Sequence, residues 1–169
     1  MTMWNHIKEF FNWIGFLTLC FALWIGMLYL VGTYHTLVPF LICFIGLFPL
    51  LEEWFKSNHS NTFFKAHLFG LLEFSIVALA VILTPSFTMD KRVGIILAKV
   101  MSLFMHFSTG MLYYRYNKND VFWGCVGLHM LFNAIIHYAH IQSFEIVLFA
   151  PYALLYISSY FVKSNITEE

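Results

Sequence analysis

Leu50-Leu51-Glu52-Glu53-Trp54-Phe55-Lys56 closes an apolar run, residues 39–51, that reads as a membrane-crossing helix. Two adjacent carboxylates at that depth are expensive. Insertion scales put an acidic side chain at a helix centre at about +2.5 to +3.5 kcal/mol, and less toward the interface. Something must offset that cost. Lys56 lies four residues after Glu52 and three after Glu53, so one helical face carries carboxylate and ammonium together. The plain explanation is a helix-end pair that snorkels to the interface. The functional one is a carboxylate held in a half-dry site, where its proton affinity is tuned for acid/base work. Partners brought to the same depth by other segments decide between them.

Composition sets the class. Of 169 residues, 60% are hydrophobic and 11% charged, with a mean hydropathy of +0.75. That is the profile of a polytopic membrane protein rather than a soluble domain. The length suits one all-α transmembrane domain over residues 1–169, with its motif-bearing core at about residues 39–140. A net charge of zero gives no footprint for nucleic acid. Cys20, Cys43 and Cys125 lie in apolar runs without CxxC spacing. They read as inert core thiols, not as a disulfide framework or a metal site.

Apolar runs predict about six transmembrane helices, at residues 13–32, 39–51 and on into the acidic stretch, 63–83, 93–114, 121–140 and 144–162. A short amphipathic lead, residues 1–12, precedes them. The first run is too long for a signal-peptide core and has no small-residue cleavage pattern after it, so it reads as retained. The loops alternate in basic charge. Lys8, Lys56, Lys65, Arg115, Lys118 and Lys163 fall on one side; Lys91 and Arg92 fall on the other. Six against two predicts both termini in the cytoplasm of a multi-pass cell-membrane protein.

The polar residues inside the spans converge in depth. Counted from the cytoplasmic ends at about 1.5 Å per residue, Glu52, Glu73, His106 and His129 all fall roughly 8 to 15 Å below one face, with Asn133 one turn deeper. Structural accidents would scatter. Ionisable groups facing lipid are rare, so these residues should point at one another. The expectation is a single polar site lined by Glu52, Glu73, His106, His129 and Asn133, with the two imidazoles within about 12 Å because one-water contacts need short reach. His129, Asn133, His137 and His140 form one stripe of the fifth span, and Ser102, His106 and Thr109 one face of the fourth. His137 and His140, nearer the outer end, read as hydrogen-bonded packing residues.

Such a set suits hydrolysis of an amide or ester. A carboxylate beside a histidine orients and deprotonates water. A second histidine and an amide donate to a tetrahedral oxyanion. Two histidines and a carboxylate also form a zinc-binding set with an open position. No HExxH spacing supports that option, and no structural zinc or other cofactor is expected. Ser102 lies one turn from His106, but no nucleophile elbow surrounds it. Residues Glu52 and Glu53 point about 100° apart on a helix, so only one of them is expected to face the water directly; if Glu52 faces His129, Glu53 turns toward a flanking helix or toward Lys56.

At this point the residues resemble a known family. Glu52-Glu53-Trp54-Phe55-Lys56 is similar to the EExxK motif of PrsW-type intramembrane proteases, and Phe69-Gly70-Leu71-Leu72-Glu73 to their FxxxE motif. His106, in the run MHFSTG, resembles their histidine. His129-Met130-Leu131-Phe132-Asn133 resembles the closing HxxxD/N motif of the wider superfamily of CAAX prenyl proteases and bacteriocin-processing enzymes. Four motifs in order on four spans cover about residues 45–140. The resemblance implies a glutamate-type peptidase that cuts a membrane-anchored protein or peptide. In it Glu52 and His129 would activate water, His106 and Asn133 would stabilise the oxyanion, and Glu53, Lys56 and Glu73 would support the site. Ser57 and Ser102 stand where the prenyl-protein branch usually has Arg and Phe, and Phe74 stands where the PrsW type has Asn. The competing readings are a non-catalytic membrane scaffold or immunity-type protein on the same fold, and a proton or ion carrier in which Glu52, Glu73, Lys99 and the histidines form a relay.

Overall fold

A computed structural model describes residues 3–34, 38–139 and 144–161. Every regular element among them is helical. The helices are α1 (Met3–Tyr34), α2 (Val38–Leu41), α3 (Phe48–His59), α4 (Phe63–Leu83), α5 (Met89–Arg115), α6 (Lys118–Ala139) and α7 (Phe144–Phe161), with a π-helical segment, Ile42–Leu47, leading from α2 into α3. The chain forms two compact units, Met1–Leu51 and Glu52–Glu169.

In the first unit the expected lead and first span are one continuous helix, α1, against which α2 packs. The π-helical segment has a local cause. Pro49 has no N–H, and its ring would press on the carbonyl of Ile45, four residues back. One widened turn accommodates it, and the Phe48 N–H bonds the Cys43 carbonyl, five residues back.

In the second unit α5 is the central helix, with α4, α6 and α7 packed around it. Met101 and Met105 of α5, Phe132 of α6 and Tyr152 of α7 form its core, flanked by Ala98, Phe104, Leu128 and Ile136. Polar ties fix the packing. The Tyr152 hydroxyl donates to the Leu128 carbonyl at 2.7 Å, and Ser108 Oγ donates to the Tyr152 carbonyl at 2.8 Å. His67 Nε2 meets the Tyr156 hydroxyl at 2.8 Å, joining α4 to α7. Between α4 and α5 small residues let the backbones touch: Ala66 lies opposite Gly110, and Gly70 opposite His106. This is the close approach that small residues give membrane helices.

Helix ends run further than hydropathy alone predicts. α5 starts at Met89, not near residue 93, because Thr88 caps it by accepting from the Lys91 N–H at 3.4 Å and Asp90 sits in its first turn. α6 likewise begins at Lys118, with Asp120 in its first turn. α3 continues to His59, where Ser57, Asn58 and His59 bond back to carbonyls of their own helix. Three described stretches are long and apolar enough to cross a membrane: Ile7–Thr33, Phe63–Leu83 and Met89–Arg115. The run before Glu52 is broken into α2, a π-helical segment and α3. The expected fifth and sixth spans fall on α6 and α7, some of whose side chains lie outside the described residues.

The Gly110 contact gives a sharp test. A Cβ there would sit 2.0 Å from the Ala66 carbonyl oxygen, whereas at Gly127 it would meet nothing within 4 Å. Gly110→Ala should therefore cost at least about 1–3 kcal/mol, since backbone cannot step aside as a side chain can. Gly127→Ala should leave the melting temperature in detergent unchanged or slightly higher, because glycine costs a helix about 1 kcal/mol relative to alanine. Thermal unfolding of the two variants side by side is the measurement.

Candidate functional site

Four helical stretches of the second unit contribute: Glu52, Glu53 and Lys56 from α3, Glu73 from α4, Lys99, His106 and Thr109 from α5, and His129 and Asn133 from α6. The spacing within each helix turns them inward. Glu53 and Lys56 are three apart, His106 and Thr109 three apart, and Lys99 and His106 seven apart, all intervals that share a helical face.

At the centre is a sealed ion pair. Lys56 Nζ bonds Glu53 Oε1, and their side chains are 1% and 0% exposed. The ammonium has three N–H groups and uses all of them. The other two meet Thr109 Oγ1 at 2.7 Å and His106 Nδ1 at 3.2 Å. The ring of Phe69 lies below the cation, 5.4 Å from its centre. Glu53 Oε1 in turn accepts from His129 Nδ1 at 2.9 Å and from Thr109 Oγ1 at 3.3 Å.

These contacts fix the protons. An ammonium only donates, so His106 Nδ1 is the bare nitrogen and its proton is on Nε2, which bonds Glu73 Oε2. A carboxylate only accepts, so His129 carries a proton on Nδ1, and in the neutral ring its Nε2 is bare. That Nε2 lies 3.5 Å from Glu52 Oε2. The two imidazoles meet edge to face, with centroids 5.1 Å apart and planes at 85°. A second ion pair, Lys99 with Glu73 Oε1, lies at the more open edge of the cluster, 31% and 26% exposed.

Glu52, Glu73, His106 and His129 meet in one cluster, and Asn133 is buried one turn after His129 on α6. Glu53 turns toward Lys56, as its separation of about 100° from Glu52 requires. Both carboxylates meet His129, one at each ring nitrogen, because the imidazole spans the angle between them. The whole stripe of α6 is not visible: the side chains of His137 and His140 lie outside the described residues. Ser102 is buried on α5 but takes no part in these bonds. Thr109 and Lys99 were left out of the expected catalytic set. Their signal was spacing from His106, three residues after and seven before.

Chemically, bare His129 Nε2 and the Glu52 carboxylate are two proton acceptors facing each other at a separation too long for a hydrogen bond and short enough for one water to touch both. Glu52, at 17% side-chain exposure, is the open member of the acidic pair. Glu52, His106 and His129 also offer ligand atoms within 4.8 Å of one another, the composition of a catalytic zinc site. The proton pattern disfavours it. His106 has no lone pair to give while Lys56 occupies Nδ1 and Nε2–H bonds Glu73. A dication there would also face the ammonium of Lys56. Compared with protein-family models, curated proteins and solved structures, the chain has no match.

Two outcomes are expected from this geometry. Purified protein should carry no stoichiometric zinc by elemental analysis, and chelators should leave its melting temperature unchanged. Lys56→Met should be severely destabilising, by about 3–5 kcal/mol, because it strands a buried carboxylate; thermal unfolding in detergent measures it.

Proposed function

We propose that this protein is an intramembrane endopeptidase of the glutamate type, resembling the PrsW-type proteases, that hydrolyses a peptide bond of a membrane-anchored protein or peptide. The observation that carries the reading is the pair of acceptors, Glu52 and bare His129 Nε2, 3.5 Å apart beside a sealed anion. A water between them loses a proton to Glu52 as it attacks the scissile carbonyl, and His129 holds it in line. Glu53 keeps His129 in the required tautomer, as a buried carboxylate does for a catalytic imidazole. His106 Nε2–H and the Asn133 amide are the donors for the oxyanion. The proton taken from water returns to the leaving amine. Glu73 and Lys56 position His106 through its two nitrogens.

The chain in this reading crosses the membrane about six times, with both termini cytoplasmic. The three long apolar helices support part of that count. Exposed aromatics support the interface: Phe63 at the start of α4 meets Tyr114 at the end of α5 and Tyr160 at the end of α7, and Trp123 near the start of α6 is exposed. Such girdles mark headgroup level. Proton carriage is the second reading. A contiguous run of bonds from Lys99 through Glu73, His106, Lys56 and Glu53 to His129 favours it. Proton flux into liposomes without any cleavage would select it.

Glu52→Gln separates the two acidic roles. It is isosteric and removes only the base, so cleavage should fall about 10² to 10⁴-fold with the melting temperature nearly intact. Glu53→Gln should lower the melting temperature and reduce turnover less. Comparison of membrane proteomes from cells carrying wild-type protein or Glu52→Gln should reveal substrates that accumulate. If Glu53→Gln is the stable, inactive variant and Glu52→Gln still turns over, the catalytic carboxylate is Glu53.

A further inference from the structure

Lys99 has no part in the resemblance or in the proposed chemistry, yet it holds an ionised group inside a 27-residue apolar helix. Its ammonium bonds Glu73 Oε1, while Glu73 Oε2 takes the His106 Nε2–H. Among the described residues it makes no other hydrogen bond or ion pair. Glu73 therefore has two partners of different kinds, one a fixed cation and the other a neutral imidazole.

Consider what substrate must do. The Nε2–H of His106 is its only proton, because Nδ1 faces the ammonium of Lys56. To serve a reacting oxygen, that proton must turn away from Glu73. A carboxylate left unpaired is costly even at the 26% exposure of Glu73, so a Glu73 with no other partner would hold His106 fast or take its place as half of an imidazolium–carboxylate pair. An imidazolium would set Nδ1–H against Lys56, donor against donor and charge against charge. The charges facing His106 are Glu52, Glu53 and Lys56 from α3, Glu73 from α4, Lys99 from its own helix and the His129 ring from α6. Of these, Lys99 is the one cation that bonds Glu73.

We infer that Lys99 is a positioning residue: as the standing counter-ion of Glu73, it keeps His106 neutral with its proton on Nε2 and lets Glu73 release that proton to the oxyanion. The part about the oxyanion rests on the peptidase reading. The part about the proton does not.

The test has two arms. In the first, ¹⁵N NMR of histidine-labelled protein in lipid, with His106 assigned by difference from His106→Gln, reads the ring nitrogens. Wild type should show one bare and one protonated nitrogen at His106. Lys99→Met should convert it to the doubly protonated form, and Lys99→Arg should retain the wild-type pattern. Lys99→Gln substitutes for the methionine variant if that variant does not fold. In the second arm, a quenched-fluorescence peptide with an apolar segment of about twenty residues, long enough to span a bilayer, is the substrate. Lys99→Met should lower kcat about tenfold or more, the scale of one lost contact in a coupled network, with KM nearly unchanged and activity restored by Lys99→Arg. A doubly protonated His106 in wild type, or an unchanged ring in Lys99→Met, overturns the inference. So does a loss of activity that Lys99→Arg fails to rescue. If wild type cleaves no peptide while the nitrogens respond as stated, the peptidase reading fails and the assignment of Lys99 stands on the first arm.

Discussion

The buried pair of Glu53 and Lys56 is the constraint on which the rest of the site depends. Two charges removed from solvent each carry several kcal/mol of desolvation, repaid only by excellent geometry and further hydrogen bonds. Here the repayment is visible. Lys56 spends every N–H on a named acceptor, and Glu53 Oε1 collects three donors. Because those partners come from α5 and α6, satisfying one ion pair fixes where two other helices must stand. It also sets the protons. An ammonium at His106 Nδ1 requires that nitrogen to be bare, and a carboxylate at His129 Nδ1 requires that one to be protonated, so the two rings meet one pair of charges with opposite proton placement.

That constraint divides the labour between Glu52 and Glu53. Adjacent residues of a helix point about 100° apart. Glu53 turns into the sealed centre and is consumed by structure. Glu52 is left at the edge, facing His129 Nε2 at 3.5 Å. An acid/base group benefits from that looseness, since a carboxylate whose Oε1 is already held by three donors is a poorer base. The doubled acidic residue is then two parts of one device, an anchor that orients the imidazole and a partner that faces its free nitrogen.

Much of this cluster was legible in the sequence because membranes punish stray charge. Glu52, Glu73, His106 and His129 had to find one another, and counting depth along separate apolar runs was enough to group them. Counting could not say which ring nitrogen meets which carboxylate. The separation of about 100° sends Glu53 to Lys56, but only the structure shows that both carboxylates also reach His129, one at each ring nitrogen. Lys99 was visible as a charge within a span, but its link to Glu73 depends on the register of α4 against α5, which no single-helix pattern contains. Element ends misled for another reason. Capping by Thr88 and the polar first turn of α6 extend helices into residues that hydropathy reads as loop. The widened turn before Pro49 breaks the run ahead of Glu52.

The register of α4 on α5 is where packing and chemistry become one problem. Gly110 admits the Ala66 carbonyl, and Gly70 lies where a Cβ would come within 3.0 Å of the His106 Cβ. Side chains of ordinary size at either place would push the helices apart. Glu73, one turn beyond Gly70, would then no longer span the gap between Lys99 and His106. A glutamate reaches only a few ångströms from its own backbone, so its bridging of two residues seven apart on the facing helix demands close and antiparallel axes. The small residues of α4 and α5 are therefore as much a part of the site as the ionisable ones. They set the distance at which a carboxylate can hold a cation with one oxygen and an imidazole with the other.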